Sequence, residues 1–212
     1  MLKMPERHSR YPTIRAVIFD LDGVIRQFAP STPIDMAHGL APGTVEATAF
    51  EPDLLALVTT GKITHEAWFE SVEARLIERH GNQALGAAAA FAKLPLRVDD
   101  TVLALSDRLR ALGIVTAILT NGTTSVEAEV VAHNIPEHFD GFFNSARIGF
   151  AKPDRRAFAH VATALGIPPT ECAFTDDTVH KLTGADQLGM HTHHFVGVAK
   201  CEAWLRELNV LE

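Results

Sequence analysis

Along residues 16–24 the chain reads Ala-Val-Ile-Phe-Asp-Leu-Asp-Gly-Val, apolar without alternation until two acids and a glycine interrupt it. A strand with no polar face is buried on both sides, as in a parallel sheet covered by helices. Similar apolar runs occur at 114–119 and 172–174, with a short one at Phe142-Phe143 and an alternating, His-rich one at 190–198. Between them the spacing turns helical. Val102, Leu105, Leu109 and Leu112 form one apolar stripe that stops at Gly113. Thr123, Thr124 and Ser125 offer N-caps to a helix over 126–133. Asp154 offers one to a helix whose apolar face is Phe158, Val161, Ala162 and Leu165. A helix closed by Gly189 and another over 201–208 complete the pattern. Strands alternating with helices predict an α/β fold, a Rossmann-like, mainly parallel sheet with helices on both faces.

One stretch departs from this alternation. From Ile25 to about Leu96 strand signals vanish, and helices are predicted at 34–40, 44–50 and 53–59. Thr64 opens a longer one, in which Trp68, Val72 and Leu76 fall at helical spacing and Phe69 widens the stripe. An alanine-rich helix over 84–94 is stopped by Pro95. The prediction is a small all-helical insertion after the first strand.

The 212 residues can hold one core, or a core with a small inserted module. A net charge of −7 and the lack of a long basic run argue against nucleic-acid binding. No apolar run reaches membrane-spanning length, and residues 1–12 lack the apolar region of a signal peptide. Cys172 and Cys201 form neither a disulfide framework nor a zinc spacing. The expected setting is therefore the cytoplasm, with no membrane partner. His191, His193 and His194 alternate along a strand without a metal-ligand spacing and are read as strand residues.

The chemistry lies at the strand ends. Asp20/Asp22, Thr120/Asn121 and Asp176/Asp177 follow three of the apolar runs, so in a parallel sheet they share one rim, where such sheets bind ligands. Lys152 stands in a loop able to reach that rim. Taken alone, Asp20-Leu21-Asp22-Gly23 is equally a turn, and an EF-hand would need further ligands that are missing. Together, carboxylates without His or Cys suit a hard cation with oxygen ligands, Mg²⁺ above all. The Thr120 hydroxyl, the Asn121 amide or nearby N–H groups, and the Lys152 ammonium suit a phosphoryl group. Phosphoryl transfer needs chiefly positioning and charge neutralisation, which this set supplies. No P-loop and no dinucleotide-binding glycine turn is present.

Asp20-Leu21-Asp22-Gly23-Val24, Thr120-Asn121, Lys152-Pro153-Asp154 and Asp176-Asp177, in this order and spacing, resemble the four motifs of the haloacid dehalogenase-like (HAD) hydrolase superfamily. The helical insertion resembles that superfamily's type-1 cap. The resemblance runs from about Thr13 to the C-terminus. It implies an α/β core of residues 13–25 and 97–212, a helical cap of residues 26–96, and a flexible N-terminal segment of residues 1–12.

The resemblance further implies Asp20 as nucleophile and Mg²⁺ ligand. Asp22 would be general acid and then base, with its main-chain carbonyl on the metal. Thr120, Asn121 and Lys152 would bind substrate phosphate. Asp177 would ligate Mg²⁺ directly, with Asp176 acting through a water or by orienting its neighbours. The implied activity is a Mg²⁺-dependent phosphoric monoester hydrolase acting on a small phosphorylated metabolite through an aspartyl-phosphate. A sugar-phosphate mutase shares every one of these residues. A non-catalytic phospholigand-binding protein on the same fold would be expected to have lost an acid, and none is missing. Dehalogenases of this type lack an aspartate at the position of Asp22. Only Lys62 and Lys93 could serve a phosphonate hydrolase from the cap.

Departures from the family pattern are Thr175, where an apolar residue is usual, and His180-Lys181 after the acidic pair. Both are expected on the crevice wall, away from the core chemistry. Arg26, where the chain leaves for the insertion, is read either as facing the cleft to meet an anionic substrate or, preferably, as a surface arginine. Monomer and homodimer are equally compatible with the sequence.

Overall fold

The computed structural model describes residues 13–212, so the flexible segment expected over 1–12 lies outside the described residues. The chain enters through β1 (Ala16–Phe19) and β2 (Arg26–Phe28). It then passes through five helices, α1 (Thr32–Ala37), α2 (Thr44–Ala49), α3 (Pro52–Val58), α4 (His65–His80) and α5 (Ala87–Phe91), and returns through β3 (Leu96–Val98). There follow α6 (Asp100–Ala111), β4 (Val115–Thr120), α7 (Val126–Ala132), β5 (Gly141–Asn144), α8 (Ser145–Ile148) and α9 (Arg155–Leu165). The last elements are β6 (Cys172–Asp176), α10 (Val179–Asp186), β7 (His191–His194) and α11 (Val198–Glu207).

Five strands form one parallel sheet in the order β5-β4-β1-β6-β7, with helices on both faces, as the alternating pattern predicts. The absence of a polar face on β1 now has its cause. Val17 and Phe19 pack into a layer with Val102, Leu105 and Leu109 of α6 and Leu205 of α11. Ala16 and Ile18 pack into the opposite layer with Phe158 and Val161 of α9 and Ala185 of α10. All four strand residues are fully buried, and each large side chain among them contributes about 1.5–3 kcal/mol by leaving water. Asp154 caps α9 as expected, accepting the Arg156 N–H at 2.9 Å.

Several expectations need correcting. Leu112 is 60% exposed: α6 ends at Ala111, so the next residue turns out of the stripe into solvent. The hydroxyls before α7 do not cap it. Thr124 accepts the His65 N–H at 3.0 Å, and Thr123 meets His65 Nδ1 at 2.9 Å, so both are drawn to α4 instead. The His-rich strand is limited to His191–His194.

The helical insertion has its own apolar cluster, built on Val45, Leu54, Val58, Trp68, Val72 and Leu76. Buried Asp35 accepts the N–H groups of Gly43 (2.7 Å) and Val45 (2.9 Å), which fixes the turn into α2. The insertion is not wholly helical between 26 and 96. β2 and β3 pair antiparallel, with Phe28 opposite Leu96, at the point where the chain leaves and rejoins the main sheet. Arg-Gln-Phe and Leu-Arg-Val carry no alternation long enough to announce a strand. Gly61 brings the insertion against α8 so closely that a Cβ there would stand 2.1 Å from the Ala146 carbonyl oxygen. Among the described residues no helix is long and apolar enough to cross a membrane.

Candidate active site

Asp20 directly follows β1, Thr120 ends β4 and Asp176 ends β6; parallel pairing sets all three on one rim. Oxygen atoms of Asp20, Asp176 and Asp177 lie within 4.8 Å of one another, the one such acidic group among the described residues. Charges this close need cations. Lys152 supplies the first: its fully buried ammonium lies 2.7 Å from Asp20 Oδ1 and 2.6 Å from Asp176 Oδ2. Lys181 supplies the second, 3.3 Å from Asp20 Oδ2 and 3.8 Å from Asp176 Oδ1. Lys181 was not expected at the chemistry. It falls there because α10 starts at Val179, three residues past the end of β6, so its first turn lies beside the rim and the Lys181 ammonium reaches Asp20.

These charges set the titration of the group. Burial alone would raise the Asp20 carboxyl, but Lys152 and Lys181 outweigh it and hold Asp20 below the usual carboxylate value. Asp176 goes the other way, to about 6, because burial and the Asp20 charge prevail over the lysines. Its oxygens are also taken, Oδ2 by Lys152 and Oδ1 by the Thr178 N–H at 2.9 Å. Asp177 is exposed, and His194 Nε2 lies 3.0 Å from its main-chain carbonyl oxygen. The His-rich strand thus buttresses the acidic pair from outside.

The loop after β1 is fitted to this cluster. Gly23 sits at φ +86°, and a Cβ on it would meet Asp177 Oδ2 at 2.1 Å. Gly23→Ala is therefore expected to displace that carboxylate and to weaken Mg²⁺ binding about 10–100-fold in calorimetric titration, with the far-UV circular dichroism unchanged. Unaltered affinity would show that Asp177 is not a ligand.

Asn121 holds the lysine loop rather than presenting its amide to the cleft. Nδ2 donates to the Lys152 carbonyl and Oδ1 accepts the Lys152 N–H, both at 2.8 Å. Thr120 is buried at the end of β4. Thr175 does not line the crevice: it is buried, with its hydroxyl 3.0 Å from His193 Nδ1.

Asp22 lies on the cleft wall and engages Arg26, whose Nε is 2.5 Å from Oδ1. Loss of solvation pushes the Asp22 carboxyl above its ordinary value, and Arg26 offsets this only in part. Arg26 is not the surface residue expected, being only 4% exposed. Its Nη1 also binds Glu129 at 2.9 Å, and Ser125 donates to Glu129 at 2.5 Å. The Ser125 oxygen then accepts from His65 Nδ1 at 3.0 Å, which assigns the Nδ1–H form to that ring. A polar chain thus runs from the helical insertion to Asp22. The signal for Arg26 was its position four residues after Asp22, just past the turn at residues 23–25 that brings the chain back.

Three carboxylates and no thiolate or imidazole in the cluster fit a magnesium-like ion. Such an ion would share the acidic charge with Lys181. Asn121, Gly122 and Thr123 border the remaining space on the β4 side.

The family profile described as haloacid dehalogenase-like hydrolase matches residues 14–189. The bifunctional epoxide hydrolase 2 of Sus scrofa is 28% identical over 92% of this chain, which spans 38% of that protein's length. A sesquiterpene phosphatase of Aspergillus oryzae is 24% identical, covering 89% of this chain and 94% of its own. A HAD-family enzyme of Bacteroides thetaiotaomicron, solved with magnesium and inorganic phosphate, superposes with a TM-score of 0.66 at 22% identity, over 85% of this chain and 93% of its own.

Proposed function

The chain belongs to the haloacid dehalogenase-like hydrolase family, and on that premise we propose that it hydrolyses phosphoric monoesters of small metabolites, with Mg²⁺ as cofactor and Asp20 as nucleophile. The observation that carries this reading is the meeting of Asp20, Asp176 and Asp177 at one rim of the sheet, with the Lys152 ammonium between the first two. The phosphatase among its relatives and the magnesium–phosphate complex of its structural neighbour support it. Residues 13–25 and 97–212 serve as the catalytic core and residues 26–96 as the cap over it, joined by the β2–β3 pair.

In this mechanism the Asp20 carboxylate, kept ionised by two ammonium groups, attacks phosphorus as the ester P–O bond breaks. Asp22, shifted toward its protonated form, gives its proton to the departing alkoxide oxygen. It then takes a proton from the water that attacks phosphorus, which frees phosphate and restores Asp20. Arg26 positions Asp22 through the contacts described above. Lys152 and Lys181 face the phosphoryl oxygens as their charge grows. The Thr120 hydroxyl and the N–H groups of Asn121 and Gly122 hold those oxygens, while the Asn121 side chain secures Lys152. Asp177 and Asp20 would ligate Mg²⁺ together with the Asp22 carbonyl, and Asp176 would orient the set. When bound, Mg²⁺ neutralises the charge of the transferring group.

Purified protein is expected to release phosphate from p-nitrophenyl phosphate with Mg²⁺, and EDTA should lower the rate about a hundredfold or more. Release indifferent to EDTA would overturn the metal requirement, and no release from any monoester would overturn the reading. An isomerised sugar phosphate without free phosphate would identify a mutase.

A further inference from the structure

Between the helical insertion and the acidic rim lies a cavity of about 730 Å³, a size that accommodates a drug-sized molecule. Its floor carries Asp22, Asn121, Asp177 and Lys181, so it is continuous with the site already described. Its wall is aromatic: Phe28, Phe50, Trp68, Phe69 and Phe91 all border it. Phe50 stacks on Trp68 with ring centroids 6.4 Å apart, and its edge meets Phe91 at 6.2 Å. Phe69 closes the group, 4.6 Å from Trp68 and 6.3 Å from Phe91. Phe50 is nonetheless 47% exposed, apolar area with nothing yet packed on it.

The polar groups on that wall have partners inside the protein. Glu46 accepts from Ser31 at 3.0 Å, and Thr59 donates to the Leu55 carbonyl at 2.7 Å. His65 is held by Thr123 and Ser125, and Glu129 by Arg26 and Ser125. A polyhydroxylated substrate would find these groups already engaged and would depend on their remaining lone pairs, while most of its hydroxyls would face aromatic surface. A hydrocarbon would cover the aromatic wall and disturb none of them.

We propose that the organic part of the substrate is apolar: the cavity takes the hydrocarbon tail of an alkyl, prenyl or aryl monophosphate, with the phosphate at the acidic rim. This inference rests on the phosphatase reading and narrows it.

The test is a series of butyl, hexyl, octyl and decyl phosphates, measured below their aggregation limits beside glucose 6-phosphate, sorbitol 6-phosphate and p-nitrophenyl phosphate. kcat/KM should rise by up to about fourfold per added methylene until the cavity is filled, and the sugar phosphates should fall below hexyl phosphate. Phe50→Ser and Phe28→Ser should each cut the decyl-to-butyl ratio by about tenfold or more, a ratio that a general loss of activity leaves alone. The non-hydrolysable decylphosphonate should bind with a more negative heat-capacity change than butylphosphonate in calorimetry.

A flat chain-length profile with active hydrolysis, or a preference for the sugar phosphates, would overturn this inference and leave the phosphatase reading standing. Failure to hydrolyse any ester, p-nitrophenyl phosphate included, would overturn both.

Discussion

Asp20→Asn is expected to lower kcat for a phosphate monoester by roughly 10⁴-fold or more while the protein stays folded. The amide is nearly isosteric with the carboxylate, and its oxygen can still accept the Leu21 N–H that lies 2.7 Å from Asp20 Oδ1. What disappears is the anionic oxygen able to attack phosphorus. A secondary effect belongs to Asp176. The Asp20 charge helps to hold that carboxyl near 6, so its removal should let Asp176 ionise more readily and remain paired with Lys152. Steady-state kinetics with Mg²⁺ at saturation, beside a urea melt, check the prediction. Wild-type turnover in a folded variant would remove Asp20 as the nucleophile.

Lys152→Met should cost stability as well as activity. The ammonium is fully buried and contacts two buried carboxylates, so a neutral side chain of similar length leaves both without their nearest cation. Breaking a buried pair in this way costs about 3–5 kcal/mol. In the variant the folded-state pKa of Asp176, already raised, is expected to rise further above the unfolded value. The destabilisation is therefore absent below the unfolded carboxylate pKa and grows as pH climbs through the raised one. Urea unfolding should show a gap from wild type that is wide at pH 8 and narrow at pH 4.5. Added Mg²⁺ should narrow it at pH 8, since a divalent ion among Asp20, Asp176 and Asp177 restores positive charge. A variant within about 0.5 kcal/mol of wild type at pH 8 would show that the lysine is not needed to hold the acids together.

The residues that made this site legible in the sequence are those that end strands. Asp20, Thr120 and Asp176 could be placed on a common rim because an unbroken apolar run fixes where a strand stops, and parallel pairing does the rest. Lys181 was missed and Arg26 was placed preferentially on the surface for a shared reason: each reaches the site by turning back from the element after the strand. The turn depends on loop geometry that no periodicity encodes. The amide of Asn121 illustrates the same limit. Its position was readable, but its commitment to the Lys152 main chain emerges only when the two loops meet. The β2–β3 pair was invisible because three-residue strands carry too little pattern, and their pairing is enforced by the chain returning to its point of departure.

That return has a wider implication. Since Phe28 lies across from Leu96, everything between them is inserted at a single doorway in the scaffold. Once the two ends are pinned together, the length of the excursion hardly matters, for doubling a flexible loop costs only about 0.6 kcal/mol in closure entropy. Descendants of this chain, or engineers, can exchange the whole roof for another of different size without moving the strands that carry the aspartates. Under the proposed function, substrate choice would then be free to drift while the reaction itself stays where it is.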